Sequence, residues 1–135
     1  MKILIDTNVI LDVLCNRAEF VKDSLRVFKY CEVKRITGCI SALSIPNIVY
    51  IMRKELNSEK IKEILTTLTS LFDVVDLRET DILKAAELDF CDYEDALQSV
   101  CASRAGVDYI VTRNIKDFKN SKVAVIKPSD LFERV

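Results

Sequence analysis

The sequence predicts an α/β protein in which helices cover both faces of a central parallel sheet of about five strands, a three-layer α/β/α arrangement. Two observations favour this class. Short apolar segments alternate along the chain with longer segments of helical period. The short segments are apolar throughout, which is typical of strands buried on both faces of a parallel sheet. The 135 residues, with only 2 Gly, 2 Pro and no repeat, predict a single domain over residues 1–135.

Each element is predicted from its own local pattern. Helical periodicity is clearest after Ser58, which is predicted to be the N-cap of the helix that follows it. Gly106 is expected to end the helix Tyr93–Ala105. A shorter helix is expected to start near Asn8, and Pro46 is tolerated in a first turn. The predicted strands are Lys2–Ile5, Ile36–Ser41, Asp73–Leu77, Tyr109–Thr112 and Val123–Ile126, and the other predicted helices are Phe20–Tyr30, Ile45–Leu56, Ser58–Phe72, Thr80–Phe90 and Tyr93–Ala105.

Composition excludes several kinds of chemistry. The chain has no His, which rules out Ser-His-Asp and Cys-His nucleophile systems and His-ligated zinc. Its 20 basic and 21 acidic side chains give a net charge of -1, so any nucleic-acid contact must be local. Five cysteines without a C-x-x-C pair favour buried free thiols in a reducing compartment. With no signal-peptide or membrane-spanning pattern, we expect a cytoplasmic protein with no membrane association.

Polar and acidic residues follow the predicted strands, where ligands bind in parallel α/β sheets. Asp6 follows the first strand, Asp95 lies in the first turn of a helix, and Asp117 follows the strand YIVT. Further polar residues at these positions are Ser44, Asn47, Asp92, Glu94, Arg113 and Asn114. Each acid alone is explained by a structural role, because Asp and Asn favour turns and helix N-termini.

Taken together, the acids predict a metal site. If the fold brings three or more carboxylates into one cleft, their repulsion must raise their pKa values or be neutralised by a cation. An all-oxygen set without His or Cys suits Mg2+ or Mn2+. Such a metal polarises a phosphoryl oxygen and generates hydroxide, so metal-assisted phosphodiester hydrolysis is the natural reaction class.

Three motifs, in order, resemble those of the PIN-domain ribonucleases, and most closely the VapC-like toxins of bacterial toxin–antitoxin pairs. The motifs are ILIDTNVILDVL, ISALSIPNIVYIMRK and YEDALQSVCASRAGVDYIVTRNIKDF. The resemblance covers nearly the whole chain, and the last motif is its most specific part. It implies a PIN-like fold and an endoribonuclease that uses Mg2+ or Mn2+, acts on RNA, and pairs with an antitoxin protein as a homodimer.

The resemblance also implies roles for individual residues. Asp6, Asp95 and Asp117 match primary metal ligands, with Asp92 and Asn114 as further candidates for the catalytic site. Asn47 falls where a typical member has glutamate, which removes one negative charge that Asp92 and Glu94 are positioned to restore. Asn47 is then expected to orient its neighbours. The remaining candidates, for hydrogen bonds to carboxylates or substrate and for phosphate contacts, are Thr7, Ser44, Arg113 and Lys116, although a solubility role suits Arg113 and Lys116 equally well.

Two other functions stay open on the sequence. A PIN-like module whose activity was lost with the glutamate at position 47 would bind RNA or a protein without cleaving. An aspartyl-phosphate enzyme with Asp6 as nucleophile is disfavoured, because the haloacid-dehalogenase-like phosphatases have a second Asp two residues on, where this chain has Asn8. The amphipathic segments Ile45–Leu56 and Ser58–Phe72 are either core or, as the resemblance implies, a surface for a second copy and an antitoxin peptide.

Overall fold

A single sheet of five parallel strands forms the centre of the molecule in a computed structural model that describes residues 1–135. Its strands are β1 (Lys2–Ile5), β2 (Thr37–Ser41), β3 (Asp73–Val75), β4 (Tyr109–Val111) and β5 (Ala124–Ile126). They lie side by side in the order β3-β2-β1-β4-β5. The predicted parallel sheet is confirmed.

Seven helices flank the sheet. They are α1 (Thr7–Leu14), α2 (Val21–Glu32), α3 (Ser44–Ile51), α4 (Ser58–Leu71), α5 (Glu79–Ala86), α6 (Tyr93–Ala105) and α7 (Pro128–Leu131), with a 3-10 turn at Ile115–Phe118. Gly106 ends α6 in the left-handed region with φ 69°, a conformation that glycine adopts without penalty. None of the helices combines the length and the apolar character that crossing a bilayer requires.

The alternation of side chains along β1 shows why the sheet needs a helical layer on each face. Ile3 and Ile5 pack into one buried cluster with side chains of α1, α2 and α4. Leu4, between them, packs on the opposite face with Ala102 of α6 and with Phe118. Ile3, Leu4 and Ile5 are all fully buried, so both faces of the first strand are covered and the three-layer prediction is confirmed.

Several boundaries differ from those predicted. Strand β3 ends at Val75, and the next residue, Asp76, turns outward to pair with Arg104 at 2.9 Å. Helix α3 ends at Ile51, five residues early. Helix α4 is capped by Asn57, whose side chain accepts a hydrogen bond from the Lys60 N–H at 2.9 Å. The predicted cap Ser58 is therefore wrong by one residue, since Asn and Ser are equally good caps.

Other differences concern features whose local signals are weak. Helix α7 was not predicted, although a proline opens it, as is common in a first helical turn. All five cysteines are free, as expected, but Cys15 and Cys91 are exposed and only the other three are buried.

The strand order fixes where a site can form. The chain runs from β1 outward through β2 to β3, then returns to the other side of β1 as β4 and β5. The carboxyl ends of β1 and β4 therefore open a crevice at the point where the strand order reverses, which is the ligand-binding position in open α/β sheets.

Candidate functional site

Asp6 lies at the carboxyl end of β1, the central strand, and its side chain is held in the crevice. The residue is 5% exposed, and Thr112, at the end of β4, donates its hydroxyl to Asp6 Oδ2 at 2.8 Å. Asp6 occupies the N-cap position of α1, yet its carboxylate makes no capping hydrogen bond to that helix. The carboxylate is thus oriented by Thr112 across the crevice. Burial is the largest influence on its pKa, which rises to about 6 despite the opposing Thr112 bond.

Three acids lie at the start of α6. Asp92 is the N-cap, and its Oδ1 accepts hydrogen bonds from the backbone N–H of Glu94 at 2.8 Å and of Asp95 at 3.3 Å. Burial, followed by the negative charges of the surrounding acids, raises the pKa of Asp95 to about 7. Those acids, largest effect first, are Asp6, Asp92, Asp117 and Glu94. Acids from three separate parts of the chain therefore act on Asp95 in a single crevice.

A buried polar network lies beneath these carboxylates. Thr7 and Ser44 join their hydroxyls at 2.8 Å, and the Gln98 side-chain N–H2 group donates to both, at 3.2 Å and 3.0 Å. The network joins the first residues of α1 and α3 to the middle of α6, so it ties these three helices together below the acids. Gln98 is 1% exposed and its Oε1 has no hydrogen-bond partner in the protein. Because an unsatisfied buried oxygen costs about 1–3 kcal/mol, this atom calls for a water or another donor.

Asn47 and Glu94 meet above that network. Asn47 Nδ2 donates to Glu94 Oε1 at 2.6 Å, so the side chain that replaces the expected glutamate touches an acid of the neighbouring helix. Burial and the charge of Asp92 raise the pKa of Glu94, and the Asn47 bond opposes them.

The predicted residues after β4 divide into two groups. Asn114 is half-buried, and its N–H donates to Thr112 Oγ1 at 3.1 Å, so it supports the threonine that holds Asp6. Lys116 and Asp117 lie on the exposed 3-10 turn that follows. The structure places Asn114 and Asp117 on the lining of one open cleft of about 540 Å3.

Arg113 pairs with a buried carboxylate, a contact that the sequence analysis did not predict. Its Nε and Nη2 bind the two carboxylate oxygens of Asp12 at 2.9 Å and 3.0 Å, and Asp12 is fully buried. The guanidinium also lies 3.9 Å from the centre of the Phe20 ring. This pairing gives Arg113 a structural role, because it compensates a buried charge that would otherwise be costly. A phosphate contact by Arg113 stays a prediction.

The oxygen donors of the crevice fit a hard divalent cation in their chemistry. No three acidic or cysteine side chains converge on one point within reach of a single ion. A cation would therefore be held directly by one or two carboxylates, with water completing its coordination, as Mg2+ prefers. The raised pKa values of Asp6 and Asp95 fit such a hydrated cation. We therefore take Asp6 and Asp95 as the residues that would hold it.

Sequence reasoning missed four residues that shape this site: Asp12, Gln98, Thr112 and Lys127. One signal was available. Gln98 is a polar residue in the buried stretch of α6, three residues after Asp95 and four after Glu94, spacings that put it on their side of the helix. Thr112 was assigned only as the end of a strand. The pairing of Asp12 with Arg113 spans 101 residues, and no local pattern reveals it.

The raised pKa values predict how stability depends on pH. Asp6 and Asp95 have folded-state pKa values near 6 and 7, above the ordinary 3.8. The folded protein therefore binds more protons than the unfolded chain, and stability must fall as pH rises from about 4 to 7. The chain has no His, so no side chain with an ordinary pKa titrates between pH 5 and 7.5. We expect the melting temperature in EDTA to fall over this interval and Mn2+ to reduce the fall. A melting temperature that is flat or rising in EDTA would contradict this expectation.

Comparisons with known proteins agree with this fold. Residues 2–116 match the family model described as PIN domain. Ribonuclease VapC1 of Aquifex aeolicus (strain VF5) is 25% identical over 138 residues, which cover 98% of this chain and 94% of the relative.

Solved structures share the architecture at low sequence identity. VapBC2 of Rickettsia felis, bound to a DNA fragment from its promoter, has a TM-score of 0.70 at 19% identity and covers 94% of this chain and 98% of its own. A toxin–antitoxin complex from Klebsiella pneumoniae has a TM-score of 0.70 at 20% identity, covering 93% and 96%. PAE2754 from Pyrobaculum aerophilum has a TM-score of 0.62 at 18% identity, covering 99% and 88%.

Proposed function

The chain belongs to the PIN domain family, and on that premise we propose that it is an endoribonuclease that hydrolyses RNA phosphodiester bonds with Mg2+ or Mn2+. We propose further that it is the toxin of a type II toxin–antitoxin pair. The observation that carries the first proposal is the crevice at the carboxyl edge of the sheet, where Asp6 and three further acids lie close enough for their charges to act on Asp95. Without His, these carboxylates are the groups available to bind a cation and order a water.

Each residue of the crevice has a part in the proposed reaction. When bound, the cation polarises a phosphoryl oxygen and lowers the pKa of water. Asp6 and Asp95 hold it, and Thr112 keeps Asp6 oriented through the 2.8 Å bond to Oδ2. The buried network of Thr7, Ser44 and Gln98 holds α1, α3 and α6 in fixed positions relative to one another. One carboxylate oxygen of Asp92 caps α6, so Asp92 supports Asp95 and adds negative charge beside Asp95.

The substrate path is proposed from the two cavities beside the acids. The cleft of about 540 Å3 is lined by Lys116, Asp117 and Lys127, and Arg113 and Lys127 also line an adjoining cavity of about 170 Å3. Lys116 and Lys127 are both exposed and neither takes part in an ion pair. Free ammonium groups next to a carboxylate site suit the phosphates that flank a scissile bond, since phosphate contacts supply much of the affinity for nucleic acid.

Removing the charge of Lys127 should weaken RNA binding. In Lys127→Gln we expect a dissociation constant for an uncleaved RNA that is raised several-fold and a salt dependence of binding that is reduced by about one unit of slope. Fluorescence anisotropy over a salt series measures both. Lys122→Gln is the matched control, because Lys122 lines a different cavity, between α5 and α6. Equal losses in the two variants would show that only net charge matters.

The proposed partners follow from the relatives. VapBC2 and the Klebsiella structure are toxin–antitoxin complexes, so we propose that this chain also binds an antitoxin protein and forms a homodimer. Tyr50 and Ile51 on α3 are 65% and 48% exposed and offer apolar surface for such contacts. Light scattering tests the dimer. An adjacent small gene for a DNA-binding protein, whose product co-purifies with this chain, is the expected result for the antitoxin.

The central experiment is metal-dependent cleavage. Purified protein is incubated with a panel of structured RNAs and Mn2+ or Mg2+, and cleavage should occur, stop with EDTA, and be absent in Asp95→Asn. Equal cleavage by wild type and variant would indicate a contaminating nuclease. Specific RNA binding without cleavage by the metal-loaded wild type would instead identify a PIN-like module that binds without hydrolysing.

A further inference from the structure

The contact between Asn47 and Glu94 joins two helices at the rim of the crevice. Asn47 lies in α3, which follows β2, and Glu94 lies in the first turn of α6, next to Asp95. Their side chains are linked by the 2.6 Å hydrogen bond from Asn47 Nδ2 to Glu94 Oε1. The contact joins residues 47 positions apart in sequence, so the fold must position both helices before it can form.

A second contact between the same helices holds this one in place. Ser44, three residues before Asn47, and Gln98, four residues after Glu94, are joined at 3.0 Å and are buried. Residues three or four apart share one side of a helix. The two contacts therefore lie about one helical turn apart between α3 and α6. One is buried and the other is at the rim of the crevice. The Glu94 side chain is exposed, and the Asn47 contact holds its carboxylate toward α3.

Glu94 has no positive partner in the protein. It takes part in none of the ion pairs of the molecule, and its charge reaches both Asp6 and Asp95. The Asn47 amide satisfies Oε1 and leaves Oε2 without a protein donor. A contact that only joined the two helices would be more stable with an uncharged acceptor, because a carboxylate among other acids is repelled by their like charges.

Resting on the function proposed above, we propose that Glu94 is a cation-binding carboxylate of this site, directly or through one water, and that Asn47 is a positioning residue that aims it. This assignment accounts for the asparagine at position 47. The carboxylate that α3 lacks is supplied by α6, and the Asn47 amide holds it in position. The negative charge of the site is preserved although its position has moved to the neighbouring helix.

The test separates charge from mechanical support. Glu94→Gln keeps an oxygen that can accept from Asn47 Nδ2 but removes the charge. We expect its Mn2+ dissociation constant, measured by isothermal titration calorimetry, to rise about tenfold or more, with a melting temperature in EDTA no lower than that of wild type, because the variant removes a charge that other acids repel. In the double variant Asn47→Glu/Glu94→Gln the charge returns on α3 and the amide on α6, and Mn2+ affinity should recover to within a few-fold of wild type. Glu63→Gln, on the exposed side of α4, is the control and should bind Mn2+ as wild type does.

The outcomes distinguish this inference from the proposed function. Wild-type Mn2+ affinity in a folded Glu94→Gln protein overturns the inference, and so does a wild type that binds no Mn2+. If Asp95→Asn abolishes RNA cleavage while Glu94→Gln leaves both cleavage and Mn2+ affinity intact, the inference fails and the function stands. If wild type cleaves no RNA but Glu94→Gln still loses Mn2+ affinity and the double variant regains it, the function fails and the inference stands.

Discussion

Asp6→Asn is expected to abolish RNA cleavage and, at the same time, to stabilise the metal-free protein at neutral pH. The two effects have one cause. The carboxylate is 5% exposed at the end of β1, and burial raises its pKa from 3.8 to about 6, so the folded protein bears an unfavourable charge above that pH. Asparagine keeps an oxygen to accept from Thr112, whose hydroxyl now binds Oδ2 at 2.8 Å. It removes the charge that a cation needs.

The expected magnitudes have opposite signs. Chemical denaturation in EDTA at pH 7.5 should give a free energy of unfolding about 1–3 kcal/mol above that of wild type, and the difference should vanish near pH 4. Cleavage in Mn2+ should fall below detection. Asp130→Asn, an exposed acid in α7, should change neither quantity. A variant that lost activity together with stability in EDTA would show that Asp6 supports the fold and would remove the argument for a strained functional charge.

Much of the fold can be predicted from the sequence because its signals are local. The strand KILI is apolar and short, and the full burial of Ile3, Leu4 and Ile5 is what such a segment requires in a parallel sheet. Boundaries are less predictable where two signals compete. Asn57 and Ser58 are adjacent and both good caps, and β3 ends two residues early because Asp76 pairs with Arg104, a contact that no local pattern contains.

The candidate site follows the same division. Asp6 and Asn114 were predictable because topology alone places strand ends at one edge of the sheet. The contacts that orient them were not. Gln98 donates to Thr7, 91 residues away in the sequence. From the sequence alone Asn47 indicates only a missing acid, whereas the structure shows its contact with Glu94. A sequence identifies which groups carry charge, whereas only the packed helices decide which of them are compensated within the protein.

Arg113 is the residue for which this distinction predicts a large loss of stability. Arg113→Met should lower the free energy of unfolding by about 3 kcal/mol, because it leaves the buried carboxylate of Asp12 without its bidentate partner. Asp12 is fully buried, and its remaining contacts are longer, 3.3 Å from Arg17 and 3.4 Å from Ser24. Urea denaturation at pH 7.5 measures the loss.

Two matched variants decide between the structural and the phosphate-binding roles of Arg113. Arg17→Met removes the weaker partner, whose side chain is 33% exposed, and should cost less than about 1 kcal/mol. In Asp12→Leu/Arg113→Met both charges are gone, so most of the stability should return, while RNA affinity should stay close to that of wild type. If Arg113→Met instead remains as stable as wild type and binds RNA more weakly, its guanidinium serves the substrate, and Asp12 only holds it in reach. A stable double variant with normal RNA affinity leaves Lys116 and Lys127 as the cations that contact the RNA phosphates. Both line the cleft of about 540 Å3, and neither is paired with a carboxylate of the protein.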